Sequence, residues 1–308
     1  MKIRIDKLIL QEFEEGLNTS HIEKSVIPAR ILGYGEISSV FEIDGMPGLA
    51  FKRMPLFNNR GEAEKYVSGY MEYCAALTDA GLELPPSATI ILEQDGLAIL
   101  YIVQPILQIH HFGHKLLHSM PDEKIGILLR QIADSINKVW VFNRDHQHDL
   151  EIAIDGQISN WVWVEEGGDH KLYFIDTSTP LLRKNGEEQF DPELLLKSAP
   201  SFLRWLIRWL FLDEVMTHYY DPVKVFVDLA ANLHKEQRPE LIPEALNILN
   251  EFIPDRSVKI TKKMVDKYYR EDKMTWRLFL LLRRIDRWLK VSILGKDYVY
   301  ILPGKINR

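Results

Sequence analysis

A single cysteine, Cys74, stands among 308 residues. One thiol cannot close an intramolecular disulfide, so no disulfide framework holds this fold, and the scarcity fits a reducing compartment. Long apolar runs are also missing. The most apolar stretch, Phe202 to Leu212, is interrupted by Arg204 and Arg208 and falls well short of the roughly 20 residues a membrane span needs. The first residues, MKIRIDKLILQEFEEG, meet charge too soon for a secretory leader. The expectation is a soluble, cytoplasmic protein. Positive charge is not in excess: 38 Lys and Arg face 44 Asp and Glu, a formal net charge of -6 that argues against general nucleic-acid affinity. Internal repeats and low-complexity tracts are absent. What remains is an ordinary globular composition, 46% hydrophobic, on a chain of 308 residues that is long enough for two lobes or domains each with its own core.

Taken in order, Lys7 to Gly16 reads as a short helix. From Ala29 the texture becomes β: ARILGYG, then SVFEI, a turn at Asp44-Gly45, then LAFKRM. Asn59 to Ala80 follows, with Ala63, Val67, Tyr70, Met71, Cys74 and Leu77 at helical spacing and Gly81 as the stop. Pro85-Pro86 breaks the chain, and Thr89–Leu92 and Leu97–Val103 form a second strand pair around Asp95-Gly96. The fold class is therefore α+β, with residues 1–104 a small antiparallel sheet plus one long helix. Pro105 marks the joint. Residues 105–308 are α-rich, with helices expected over 124–142, 201–217, 222–235, 239–252 and 261–291.

One segment interrupts those helices. Asp155 to Asp176, DGQISNWVWVEEGGDHKLYFID, holds two β-forming runs separated by Glu165 to His170, and thus reads as a hairpin. A hairpin places Asn160 at the start of one strand and Asp176 at the end of its neighbour, with Asp155 on the loop leading in. Three oxygen-bearing side chains at one end of a ribbon suit a hard cation and a phosphate. Upstream, Gly33-Tyr34-Gly35 with Ser38 and Val40 gives G-x-G-x-x-S-x-V between two strands, where glycines let a backbone pass close to a phosphate. A strand follows it, which excludes a dinucleotide-binding βαβ unit. On the next strand, alternation puts Ala50 and Lys52 on one face and Phe51 on the other.

In this order, the glycine turn, A-x-K on a strand, D-x-x-x-x-N and a strand ending in Asp resemble the signature of the protein-kinase-like superfamily. The chain looks closer to its small-molecule branch, the aminoglycoside phosphotransferase and choline kinase type. No D-F-G or A-P-E follows the Asp176 strand. The resemblance covers about residues 29 to 185 and implies a bilobal kinase-like fold, with an N-lobe of 1–104 and a helical C-lobe of 105–308 carrying the catalytic-loop hairpin at 150–176. It implies an ATP- (or GTP-) and Mg²⁺-dependent phosphotransferase for a hydroxyl of a small-molecule acceptor. By the same resemblance Gly33 and Gly35 would cover the phosphates and Lys52 would contact them. Glu72, or failing it Glu64, would pair with Lys52. Val40 and Ala50 would roof the adenine, Val162 would floor it, and main chain near Ile102 to Gln104 would be the hinge. Asn160 and Asp176 would hold Mg²⁺, and Asp155 would orient or deprotonate the acceptor.

The pattern also departs from that family. Ala153-Ile154 precede Asp155 where His-Arg or His-Gly is usual, and Gln157 stands where His or Lys is usual. These departures open a second reading, a nucleotide-binding pseudokinase that acts through partners. A third reading is an adaptor using the basic helix MTWRLFLLLRRIDRWLK on membrane or RNA. The preferred expectation for that helix is a core element whose long cationic side chains cover its rim. The tryptophans at 205 and 209 are likewise expected in the core. His110, His114 and His118 fall at helical spacing, but Gly113 interrupts them and neither Cys nor carboxylate completes a metal site, so a solvated or capping role is expected.

Overall fold

The structure is a computed structural model that describes residues 3–19, 21–34, 38–146, 149–166, 169–191, 194, 217–255 and 257–289. The expected helix over 201–217 and the second glycine of the turn, Gly35, lie outside them except for position 217. The chain is mixed α+β, with its sheets antiparallel.

Helix α1, Lys7–Glu15, starts where the Asp6 carboxylate accepts from the backbone of Leu8 at 3.0 Å and Ile9 at 3.2 Å. Strands β1 (Ala29–Tyr34), β2 (Ser39–Ile43), β3 (Leu49–Arg53), β4 (Ala88–Gln94) and β5 (Leu97–Pro105) form a five-stranded sheet in the order β1-β2-β3-β5-β4. Asp95 and Gly96, at φ 51° and 77°, make the β4–β5 turn with the left-handed backbone that an Asp-Gly pair accommodates. Helix α2, Arg60–Asp79, is capped by Asn59, whose side chain accepts from Glu62 N at 2.9 Å.

Strand β5 shows why this sheet has helices on both faces. Ala98, Leu100 and Ile102 join the cluster that holds α2, while Ile99, Tyr101 and Val103 join the one that holds α1. Every second side chain thus serves a different layer. The α2 cluster does not stop at residue 104. It runs on through α3 (Gly113–Ser119), α4 (Asp122–Asp145), α5 (Pro222–Lys235) and α6 (Ile242–Glu251) to the first turns of α7 (Lys262–Trp288).

Two small sheets sit between α4 and α5 in sequence. β6 (Leu150–Ile152), β9 (Leu182–Lys184) and β10 (Glu187–Glu188) form one, and β7 (Trp161–Glu166) with β8 (Asp169–Phe174) form the expected ribbon. The helix expected over 239–252 divides into a 3-10 turn at Pro239–Leu241 and α6. α2 is rotated from its sequence reading. Its inward face carries Tyr66, Tyr70 and Tyr73, while Met71 is exposed.

Candidate functional site

The site is organised by a contact between residues far apart in sequence. Lys52, on β3, reaches its ammonium to Asp176 Oδ1 at 3.1 Å and to Ser178 Oγ at 2.8 Å. Its cross-strand neighbours are Val40 on β2 and Ile102 on β5. Because Ala50 lies two residues before it, Val40, Ala50 and Lys52 share one face of the sheet, as the alternation predicts. Asp176 follows directly from β8. In the ribbon Trp161 pairs with Phe174, and Ile175 N donates to Asn160 O at 3.0 Å, so Asn160 and Asp176 sit at the same end.

The loop from Ala153 to Asn160 is fixed from several sides. Asp155 Oδ1 accepts from Gln157 N at 3.1 Å, and Asn160 Nδ2 donates to Asp155 O at 3.1 Å. The second bond orients the Asn160 amide and leaves its Oδ1 as the atom to meet a cation. Gly156 is not the hinge of a simple turn. A Cβ there would come within 2.9 Å of Val225 Cγ1 and 3.0 Å of Ile136 Cδ1, so the glycine lets the loop pass between α4 and α5. Gly113 does the same for α3, since its Cβ would lie 2.4 Å from Ile158 O. The apolar pair Ala153-Ile154 is buried, and Tyr73 of α2 donates to Ala153 O at 2.6 Å.

α5 supplies the remaining support. Asn232 Oδ1 accepts from Ile158 N at 2.8 Å, and its Nδ2 donates to Asp228 O at 3.0 Å. Lys235, one turn on, lies 3.0 Å from Asp272 on α7 and 3.7 Å from Asp228. Burial works to lower the Lys235 pKa, but Asp228, Asp272 and then Asp155 outweigh it and hold the ammonium charged. Burial pushes Asp228 up to about 6, against the pull of Lys235. A cation thus stands within the field of Asp155. Nothing in the sequence pointed to it, because Lys235 belongs to a helix eighty positions further along the chain.

Not every expected residue meets its partner. Glu72 does not pair with Lys52; it lies on the half-exposed side of α2 and binds Lys184 at 2.7 Å. The fallback, Glu64, pairs with Arg60 at 2.7 Å. The rotation of α2 explains both. Tyrosines, not carboxylates, face the site, with the Tyr66 hydroxyl donating to Ser178 O and Tyr70 OH donating to Ser87 Oγ at 2.9 Å. Val162 is fully buried and bridged to Phe112, so it presents no surface to a ligand. Gly33 pairs with Val40 next to a bulge, and a Cβ on it would touch nothing, so packing makes no demand for glycine there. Of the histidines, His110 and His111 stack edge to face in a 3-10 turn and His114 and His118 lie on α3. Among the described residues no group of three or more His, Cys, Asp or Glu could hold a metal ion.

The chain belongs to the DUF6206 family, a family of unknown function, whose model matches residues 24–287. That match takes in β1 to β10, the Lys52–Asp176 contact and most of α7. No match to a curated protein was found.

Proposed function

We propose that this chain is a bilobal, kinase-like phosphotransferase that moves a phosphoryl group from ATP to a hydroxyl of a small molecule with Mg²⁺. The observation that carries the reading is the 3.1 Å contact of Lys52 Nζ with Asp176 Oδ1, at the end of the ribbon where Asn160 also lies. The donor set fits the two groups. Lys52 is a phosphate-binding cation on the sheet face shared with Val40 and Ala50, and the buried Ser38 hydroxyl has no partner among the described residues. Asp176 and Asn160 offer the hard oxygens that Mg²⁺ prefers. When bound, the nucleotide would supply the phosphoryl group and the metal a positive charge that offsets the negative charge on its oxygens.

This chain's own residues do the rest. Lys52 would exchange its contact with Asp176 and Ser178 for phosphate oxygens. Asp155, held by Gln157 N, would orient the acceptor hydroxyl and take its proton. Asn232 and Tyr73 fix the loop that carries Asp155, so its position is set before substrate arrives. Lys235 would add positive charge within the field of Asp155, a charge that Gln157 does not supply.

Thermal unfolding with millimolar ATP, with and without Mg²⁺, tests this reading. ATP with Mg²⁺ is expected to raise the melting temperature in the wild type but not in Asp176→Ala, with about 2.7 kcal/mol of stabilisation once ligand stands a hundredfold above its dissociation constant. No shift in the wild type sinks the proposal. A second reading, a nucleotide-binding pseudokinase, is favoured by one observation: the buried Ala153-Ile154 pair is gripped by Tyr73 where a catalytic loop would carry polar residues. A Mg²⁺-dependent shift without hydrolysis or transfer to any hydroxyl compound selects it.

A further inference from the structure

α7 changes character along its length. Its first turns are anchored: Val265 is fully buried, Tyr268 and Tyr269 pack on the core, Asp266 binds His234 at 2.8 Å and Asp272 binds Lys235 at 3.0 Å. Beyond Asp272 every described side chain as far as Trp288 is exposed. Five of them are large and apolar: Met274 at 69%, Leu278 at 45%, Leu281 at 54%, Ile285 at 37% and Trp288 at 58% exposure. Their spacing alternates four and three. At 100° per residue they fall within an arc of roughly 80°, a single stripe along one side of the helix. The expectation of a core helix with a cationic rim therefore does not hold for the described side chains of this half, whose apolar stripe faces solvent.

Cations border the stripe. Lys273, Arg277 and Arg284 are exposed, and neither arginine has an ion-pair partner among the described residues. From Lys273 to Lys290 the sequence holds six Lys and Arg against one carboxylate, Asp286, in a chain whose net charge is -6. Positive charge is thus segregated onto the one described segment with a continuous exposed apolar stripe.

We infer that the second half of α7 is a docking surface for an anionic lipid membrane. Apolar side chains on one side of a helix enter the boundary between headgroups and acyl chains while flanking cations meet lipid phosphates and carboxylates. No described helix is long and apolar enough to cross a membrane, so the contact would be interfacial. A second copy of the chain would cover the apolar stripe but bring two sets of like charges together, which costs energy at short range. Nucleic acid would satisfy the arginines and leave Met274, Leu281 and Trp288 in water. An anionic bilayer satisfies both sets at once. The site and its nucleotide chemistry are not needed for this surface to act.

Co-sedimentation of the full chain with vesicles decides the matter. Binding is expected to vesicles with about a third phosphatidylserine, weakening as salt rises, and at least about tenfold weaker to phosphatidylcholine alone. Leu278→Asp/Leu281→Asp is expected to abolish binding, and Arg277→Glu/Arg284→Glu to weaken it at least about tenfold. Both pairs are exposed, so melting temperature and helix content should hold; if the apolar pair misfolds, the charge reversal still carries the test. Absence of binding to anionic vesicles at low salt overturns the inference, as does equal binding by both variants. A concentration-dependent dimer that Leu281→Asp dissociates, without vesicle binding, would assign the stripe to a second copy instead.

Discussion

At the scale of single residues, the most exacting environment lies outside the candidate site. Arg53 ends β3 with its guanidinium buried against Glu14 of α1, at 2.9 Å through Nε and 2.5 Å through Nη2, and the Tyr101 hydroxyl also donates to Glu14. Burial works against the arginine's charge, but the paired carboxylate raises its pKa above the ordinary value. Such a pair adds little net stability while intact, yet removing one member leaves a charge without water or partner. Glu14→Ala should therefore cost about 3–5 kcal/mol in chemical denaturation. Glu14→Gln, which keeps a hydrogen-bond acceptor, should cost less. Equal loss in both variants would show that packing, not charge, is what Glu14 contributes. The neighbouring residue, Lys52, is the contrast. It faces the other side of the same strand and contacts Asp176 and Ser178, not the α1 interface.

The element that couples sheet to loop is α2, and it does so through hydroxyls. Tyr66, Tyr70 and Tyr73 recur at helical spacing on its buried face, and burial raises all three phenols well above their usual titration range. They stay neutral and act as donors. Tyr73→Phe keeps the ring but leaves Ala153 O buried with one bond fewer, which should cost about 1–3 kcal/mol of stability and loosen the loop carrying Asp155. Amide exchange across residues 153–160 should rise in that variant while exchange in β1–β3 stays unchanged; uniform exchange would argue against a local tie. The elements themselves were legible in the sequence. Asp44-Gly45, Asp95-Gly96, the Asn59 cap and Asp221-Pro222 mark boundaries that the structure places within a few residues. What was not legible was rotation. Apolar spacing in α2 is compatible with either Met71 or Tyr73 facing inward, and only contacts with residues 153 and 178 choose between them. The same ambiguity misassigned Glu72. For α7, periodicity reported a helix correctly but could not say that the described side chains of its second half are exposed.

For the molecule as a whole, the Asp155 loop depends on long-range contacts that no local pattern encodes. α4, α5 and α2 all press on residues 153–160, and α5 in turn leans on α7 through Asp228, Lys235 and Asp272. Asp228 is the member of this cluster with the clearest consequence. Its carboxyl is buried, and burial pushes its pKa up to about 6 although Lys235 pulls the other way. An acid held above its unfolded value of about 3.9 binds its proton more tightly in the folded state. Its contribution to stability is then fully present below about pH 4 and is lost as pH rises through about 6. Asn at this position cannot titrate, and Lys235 would retain Asp272 at 3.0 Å. Melting temperatures of wild type and Asp228→Asn, measured side by side from pH 4 to pH 7, should thus diverge in one direction. The variant gains on the wild type by a few degrees across that window, most steeply near about pH 5, between the unfolded and folded values, and levels off above about 6. The opposite trend, with the wild type gaining as pH rises, would mean that attraction to Lys235 outweighs burial and that Asp228 is ionised throughout.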